Sequence, residues 1–172
     1  MKTRSLGHFD LVVVGAGSAG AIAAITAARS GSEVLVIDRL PFVGGTSTGV
    51  LDTFYGFYTP GENAKKIVGG IPDDVVEGLS KFGSMIERPN TYGAGTGITY
   101  NPEHLKVVWE SLLQKSGAKI LLHSLLQEVR VSDGRVTELV LATRAGLCSV
   151  KGNYFIDATG DADLSHFAGF GY

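Results

Sequence analysis

Apolar and polar positions divide this chain into short segments of differing period. Phe9–Val14 is an unbroken apolar, β-branched run after a polar start, the pattern of a strand buried on both faces. Gly15, Gly17 and Gly20 follow at once; Ser18–Ser30 then reads as an alanine-rich helix, with Gly31 in the usual stop position. Val34–Ile37 predicts a second strand, closed by Asp38. Residues 39–61 lose all period and are rich in Gly, Thr and aromatics. A short helix is expected over Pro72–Phe82, because proline suits a first helical turn and Asp73 and Asp74 complement the dipole there. Thr91–Tyr100 reads as a glycine-rich connection without the Gly-Lys-Ser/Thr ending of a phosphate loop. From Asn101-Pro102 to Gly117, Leu105, Val108, Trp109, Leu112 and Leu113 make one apolar stripe opposite Glu103, Lys106, Glu110 and Gln114, an amphipathic helix.

The remainder is β-rich. Residues 118–123, "AKILLH", predict a third parallel strand, and "LLQEVRVSDGRVTELVLAT" two alternating strands around the hairpin signal Asp133-Gly134. Gly146–Val150 adds a third hairpin strand, "NYFIDATGD" a separate buried strand ending in a glycine turn, and Leu164–Ala168 a last helix. Strand, glycine turn, helix and strand within some thirty residues is the βαβ unit of a parallel sheet. The fold class expected is therefore α/β, a Rossmann-like domain with a parallel sheet and a β-meander on one face. One domain over 1–172 is expected, its core at 8–45 and 118–172 and an insertion at 46–117. The helix from Pro102 is expected to return the chain to the sheet with Trp109 buried.

Composition removes several function classes. Fifteen Lys and Arg against 17 Asp and Glu leave a formal charge of −2, with no basic block, so nucleic acid and anionic lipid are not expected partners. One cysteine, Cys148, excludes an internal disulfide framework and a cysteine zinc site, and fits a reducing, cytoplasmic compartment. No metal is expected. The 24 glycines lie in clusters without a Gly-X-Y period, which implies several tight turns and not collagen.

Leu11–Ala28 carries no charge and has the length of a membrane span. Against that reading, the run continues directly into "SEVLVID", which completes a βαβ unit that signal cleavage would destroy, and no membrane span is expected. The Gly-x-Gly-x-x-Gly at Gly15, Gly17 and Gly20 instead suits a dinucleotide. The first glycine allows the tight turn, the second the approach of a pyrophosphate and the third close helix–strand packing, with the helix N-terminus aimed at the phosphates. Asp38, eighteen residues beyond Gly20, suits a ribose diol and repels a 2′-phosphate. A glycine corner without ligand, and Asp38 as a plain strand-end acid, are the structural alternatives. This unit alone does not separate NAD from FAD.

The combination "VVVGAGSAG", "VLVIDR", "GGTSTG", "NPEHLKVVWESLLQKSGAKILLH" and "FIDATGDAD" resembles the N-terminal part of FAD-dependent oxidoreductases with a glutathione-reductase-type FAD fold, close to the fumarate reductase and succinate dehydrogenase flavoprotein group. The resemblance runs over nearly the whole chain and implies FAD as cofactor. It implies that Gly15, Ala16, Gly17, Ser18, Ala19 and Gly20 hold the pyrophosphate and that Asp38 holds the adenosine ribose, with Arg39 beside it. It implies that Gly44, Gly45 and Thr46 approach the pyrophosphate and flavin side, that Leu126 contacts adenine through its backbone, and that Ala158, Thr159, Gly160 and Asp161 form a second turn near the phosphates and ribityl chain. The insertion is then expected over the flavin side. Plainer roles stand beside these: a loop at Gly44-Gly45, a core position at Leu126, a helix cap at Asp161 or Asp163.

No catalytic acid or base stands out. His8, His104, His123 and His166 are scattered and read as structural, Cys148 as inert, and Tyr55 and Tyr58 as packing residues before flavin neighbours. Family members carry a substrate region and a last cofactor turn farther downstream, so the domain reads as truncated. The expected function is the FAD-binding portion of an oxidoreductase that moves a hydride between a small organic substrate and FAD. A C-terminal region or a second chain is expected to complete the FAD and substrate sites, the chain alone being inactive. A non-catalytic dinucleotide-binding subunit or module is the alternative, and an NAD-binding dehydrogenase domain a weaker third.

Overall fold

A computed structural model describes residues 3–50, 53–60, 63–83, 85–88 and 96–171. The described residues fall into two compact units, Met1–Gly45 with Leu113–Tyr172, and Thr46–Leu112. The first holds a six-stranded sheet. Its strands are β1 (Arg4–Val14) and β2 (Val34–Ile37), then β6 (Lys119–Leu121), β7 (Leu125–Ser132), β8 (Arg135–Thr143) and β9 (Gly146–Asp157), in the order β6-β2-β1-β9-β8-β7. Helix α1 (Ser18–Arg29) joins β1 to β2 and α5 (Asp163–Phe167) follows β9. β6, β2, β1 and β9 are parallel neighbours, while β7 and β8 are antiparallel to theirs.

The apolar runs explain the layering. Val34–Ile37 is buried along its whole length, and in β1 burial is continuous from Leu11 to Val14. Both are central strands covered on two faces. The meander strands hydrogen-bond in series with this sheet through β9. Their Leu126, Leu139, Leu141 and Val150 nevertheless share one buried cluster with Val12, Val14, Leu35 and Ile37. A continuous sheet therefore curls so that its antiparallel part covers one face of its parallel part, as the alternation in the hairpin predicts.

Two strand boundaries differ from expectation. β1 begins at Arg4 instead of Phe9: the polar segment before Phe9 pairs with β9 from Arg4↔Cys148 onward, through an irregularity between Ser5 and His8. Solvent-facing strand residues show no apolar signal, which is why the pattern hides them. Gly146–Val150 and Asn153–Asp157 are also not separate strands but one, β9, whose first half pairs with β8 and β1 and whose second half continues along β1.

The second unit contains α2 (Thr46–Gly49), β3 (Phe54–Tyr55), α3 (Ile71–Ser80), β4 (Ile86–Arg88) and β5 (Gly97–Thr99), the strands in the order β3-β5-β4. The connection expected over Thr91–Tyr100 is corrected at its end, where Gly97–Thr99 is a strand between two antiparallel neighbours; residues 91–95 lie outside the described residues. Helix α4 (Pro102–Ser116) begins in this unit. Asn101 caps it by accepting the Glu103 N–H at 2.9 Å. Leu105, Val108 and Trp109 are buried, and a Cβ at Gly78 of α3 would press on the Val108 methyls, so the two helices meet closely there. The Trp109 indole N–H donates to the Tyr55 hydroxyl at 3.3 Å.

Among the described residues no helix is long and apolar enough to cross a membrane. The uncharged run from Leu11 to Ala28 is split between β1, a turn and the twelve-residue α1.

Candidate functional site: a dinucleotide groove

The sequence places a tight turn directly at the end of a buried parallel strand, and the structure shows what each small residue there makes room for. Gly15 has φ +99°, a conformation costly for a side chain, and a Cβ on it would overlap the Ala158 carbonyl of the turn after β9. A Cβ on Gly20 would overlap the Gly15 carbonyl oxygen, so the first turn of α1 lies directly on the end of β1. Both are required by the protein's own backbone. Gly17 differs: the nearest atom to a Cβ there is the Gly45 Cα at 3.8 Å, an ordinary contact. Nothing in the described fold demands glycine at this position.

The segment at Gly44 and Gly45 closes on the same turn. Gly44 N–H donates to the Ala16 carbonyl at 2.8 Å and forms a bridge with Gly17, while a Cβ on Gly45 would come within 2.8 Å of the Gly17 Cα. Gly17 occupies the N-cap of α1 and supplies no capping side chain, and the first turn, which includes Ser18 and Ala19, contains no acid. Here the positive end of the helix dipole lies without a built-in acid. This end suits a pyrophosphate in both shape and charge.

Asp38 ends β2 and is buried. Its Oδ2 accepts the Ala16 N–H at 2.6 Å and its Oδ1 the Leu40 N–H at 2.8 Å. One carboxylate thus ties the second strand to the glycine turn, and each oxygen keeps lone-pair capacity for a further donor. An open groove runs past it, lined by Val14, Gly15, Ile37, Asp38, Arg39, Ser124, Leu125, Leu126, Thr159 and Asp163. Leu126 is a buried core residue that also lines this groove, next to a register irregularity before Glu128. The core reading of Leu126 and its place beside the groove therefore coexist.

The second turn closes the other side. Ala158 N–H donates to the Val14 carbonyl at 2.8 Å, carrying the pairing of β1 and β9 past the strand ends. Gly160 follows in the left-handed region, and Asp161 pairs with Arg39 at 3.7 Å, both side chains largely exposed. An exposed pair at that distance contributes little stability. Asp161 and Asp163 do not cap the last helix. That work falls to Thr159, whose hydroxyl accepts the Asp163 N–H at 2.9 Å, and to Asp157, whose carboxylate accepts the Ser165 N–H at 2.8 Å.

Asp157 is the site residue that pattern reading misses. It also accepts the Ser165 hydroxyl and the Thr159 hydroxyl, each at 2.8 Å, and the Thr159 N–H at 3.2 Å. Burial opposes its ionisation, but the hydrogen bonds from Ser165 and Thr159 outweigh burial and hold the carboxyl below the ordinary aspartate value. An acid two residues before a Thr at a strand end was the available signal.

The structure thus brings Gly15, Ala16, Gly17, Gly20, Gly44 and Gly45 together, and gathers Asp38, Arg39, Leu126 and Thr159 around one groove. Thr46 belongs to the second unit, where it opens α2. Tyr55 stacks on Phe57 with ring centroids 5.2 Å apart and lies 4.8 Å from Tyr100, the packing role expected of it. The Tyr58 hydroxyl donates to Glu87 at 2.7 Å, and that bond, with burial, raises its phenol above the ordinary value. His123 is corrected: it is exposed at φ +52°, with its N–H on the Leu40 carbonyl, not a satisfied side chain in a strand. His104 stacks on Phe82 at 4.5 Å, and Cys148 is buried.

Known proteins show the family and share the fold. A family model described as FAD dependent oxidoreductase matches residues 10–172. A fumarate reductase (cytochrome) of Shewanella frigidimarina is 38% identical over 80 residues, 46% of this chain and 14% of that protein. A urocanate reductase of Eggerthella lenta is 28% identical over 137 residues, 76% of this chain and 22% of that one. The chain therefore spans less than a quarter of the length of these two relatives. Among solved structures, a geranylgeranyl bacteriochlorophyll reductase-like protein from Thermoplasma acidophilum superposes with a TM-score of 0.66 at 18% identity, covering 98% of this chain and 43% of that one. At that identity the likeness concerns the fold.

Proposed function

The chain belongs to the FAD-dependent oxidoreductase family, and on that premise we propose that it is the portion that grips the dinucleotide in an enzyme moving a hydride between a small organic substrate and FAD. Gly15, Ala16, Gly17, Ser18, Ala19 and Gly20 take the pyrophosphate on the open end of α1. Asp38 accepts from the adenosine ribose, with Arg39 at the rim, and the Leu126 backbone meets adenine. Gly44, Gly45 and Thr46 approach the pyrophosphate and flavin side, and Ala158, Thr159, Gly160 and Asp161 the phosphates and ribityl chain. The observation that carries this reading is Gly17, a glycine with room for a side chain among the described residues, beside a helix end with no acid in its first turn. The space is kept for a ligand.

Bound FAD supplies the hydride chemistry. The residues here bind it and fix its orientation. The substrate site, and the acid or base beside it, belong to a C-terminal region or to a second chain that completes the enzyme, and the isolated chain has no turnover. A single cysteine suits a cytoplasmic setting.

Titrating FAD into the purified chain and following flavin fluorescence tests the reading. Saturable quenching that ADP competes away and NADP does not is the expected result, because Asp38 repels a 2′-phosphate. Absence of saturable binding, or equal competition by NADP, overturns it.

A further inference from the structure

One carboxylate holds the turn after β9 from behind. Asp157 Oδ1 accepts the N–H and hydroxyl of Thr159, and Oδ2 the N–H and hydroxyl of Ser165. Four donors fill the roughly four acceptor positions of a carboxylate, so this group has nothing left to offer a ligand. Nor does it line the groove. Thr159 and Asp163 do, and the Thr159 hydroxyl accepts the Asp163 N–H, so both lining residues hang on Asp157. The Ala158 carbonyl occupies the space that a Cβ at Gly15 would need, so the two turns on either side of the groove set each other's position.

We propose that Asp157 is a positioning residue for cofactor binding: by holding Thr159 and Ser165 at once, it keeps the Ala158–Asp161 turn in the shape that receives the dinucleotide before the dinucleotide arrives. This rests on the reading of the groove as the FAD site. A preformed turn spares the ordering cost at binding, so its loss is read in affinity. Asn at this position is not equivalent. Its amide nitrogen must face either the Thr159 or the Ser165 N–H, donor against donor, and one side of the clasp opens.

The test uses the full chain, with FAD affinity by flavin fluorescence and the unfolding midpoint of the FAD-free protein by circular dichroism. Asp157→Asn and Thr159→Val are expected to weaken FAD binding about tenfold at temperatures where both remain folded. Ser165→Ala, which keeps the Ser165 N–H bond, lowers the midpoint and leaves affinity within about twofold. If Asp157→Asn does not fold, Asp157→Ser, whose single hydroxyl can serve only one side of the clasp, takes its place. Unchanged affinity in the folded variants, with lowered midpoints only, makes Asp157 a helix cap and overturns the proposal. Failure of the wild-type chain to bind FAD overturns the reading beneath it instead.

Discussion

Gly15, Gly17 and Gly20 belong to one motif but answer to different neighbours. Gly20 is demanded by the Gly15 carbonyl, whereas a methyl at Gly17 meets only the Gly45 Cα at 3.8 Å. Gly20→Ala is therefore expected to cost about 3 kcal/mol of folding stability in urea denaturation, because backbone cannot move aside as a flexible side chain does. Gly17→Ala should leave that stability within about 0.5 kcal/mol yet weaken FAD binding measurably. Equal destabilisation by the two would mean that the motif is only a packed corner. Asp157 makes a second prediction at this scale. Its carboxyl lies below the ordinary 3.8 when folded, so over that interval the unfolded chain holds the proton more readily than the folded one. Its contribution is full well above 3.8 and is lost as pH falls through the folded value. The stability gap between wild type and Asp157→Asn, measured by urea midpoints from about pH 6 down to about pH 3, is expected to shrink with acid.

At the scale of elements, Asp38 couples the end of β2 to the turn after β1 through the Ala16 and Leu40 N–H groups. Asp38→Ala leaves the buried Ala16 N–H and the half-buried Leu40 N–H without this acceptor and should cost about 3 kcal/mol in the FAD-free protein. A cost near zero would show that Asp38 serves the ligand alone. The elements that sequence made legible are those whose period is set by burial: Leu11–Val14 with α1, Val34–Ile37, the helix carrying Trp109, and the hairpin at Asp133-Gly134. What it hid follows from the same physics. The outer half of β1 faces water and carries no apolar signal, and Lys151-Gly152 reads as a break although β1 pairs with both, His8 with Lys151 and Phe9 with Gly152. Strands of two or three residues, such as Phe54–Tyr55 and Gly97–Thr99, are shorter than any period that could announce them. For the site, glycines and the strand-end acid stand out by type and spacing. Asp157 stands out less, because beyond the adjacent Thr159 its second partner Ser165 meets it only once α5 turns back on β9.

For the molecule as a whole, the proposed function gives the groove one end of a dinucleotide. Its lining residues are those suited to an adenosine and its phosphates, with neither histidine nor tyrosine among them. The four histidines lie elsewhere or on exposed surface, and the tyrosines whose surroundings are clearest, Tyr55 and Tyr58, are engaged by Phe57, Tyr100 and Glu87 within the second unit. A hydride transfer needs the reacting carbon held beside the flavin and a group placed to manage the accompanying proton. The relatives with named reductase activities are more than four times longer than the stretch they share with this chain. Binding energy from the adenosine and pyrophosphate end alone should give an FAD Kd on the order of micromolar, with the isoalloxazine end little constrained. The expected outcome is a chain that takes up FAD reversibly, loses it on dialysis, and shows a bound-flavin spectrum that no added organic acid or alcohol bleaches under anaerobic conditions. Flavin retained at full occupancy through purification, with steady reduction by such a substrate, would place the reacting site within these 172 residues.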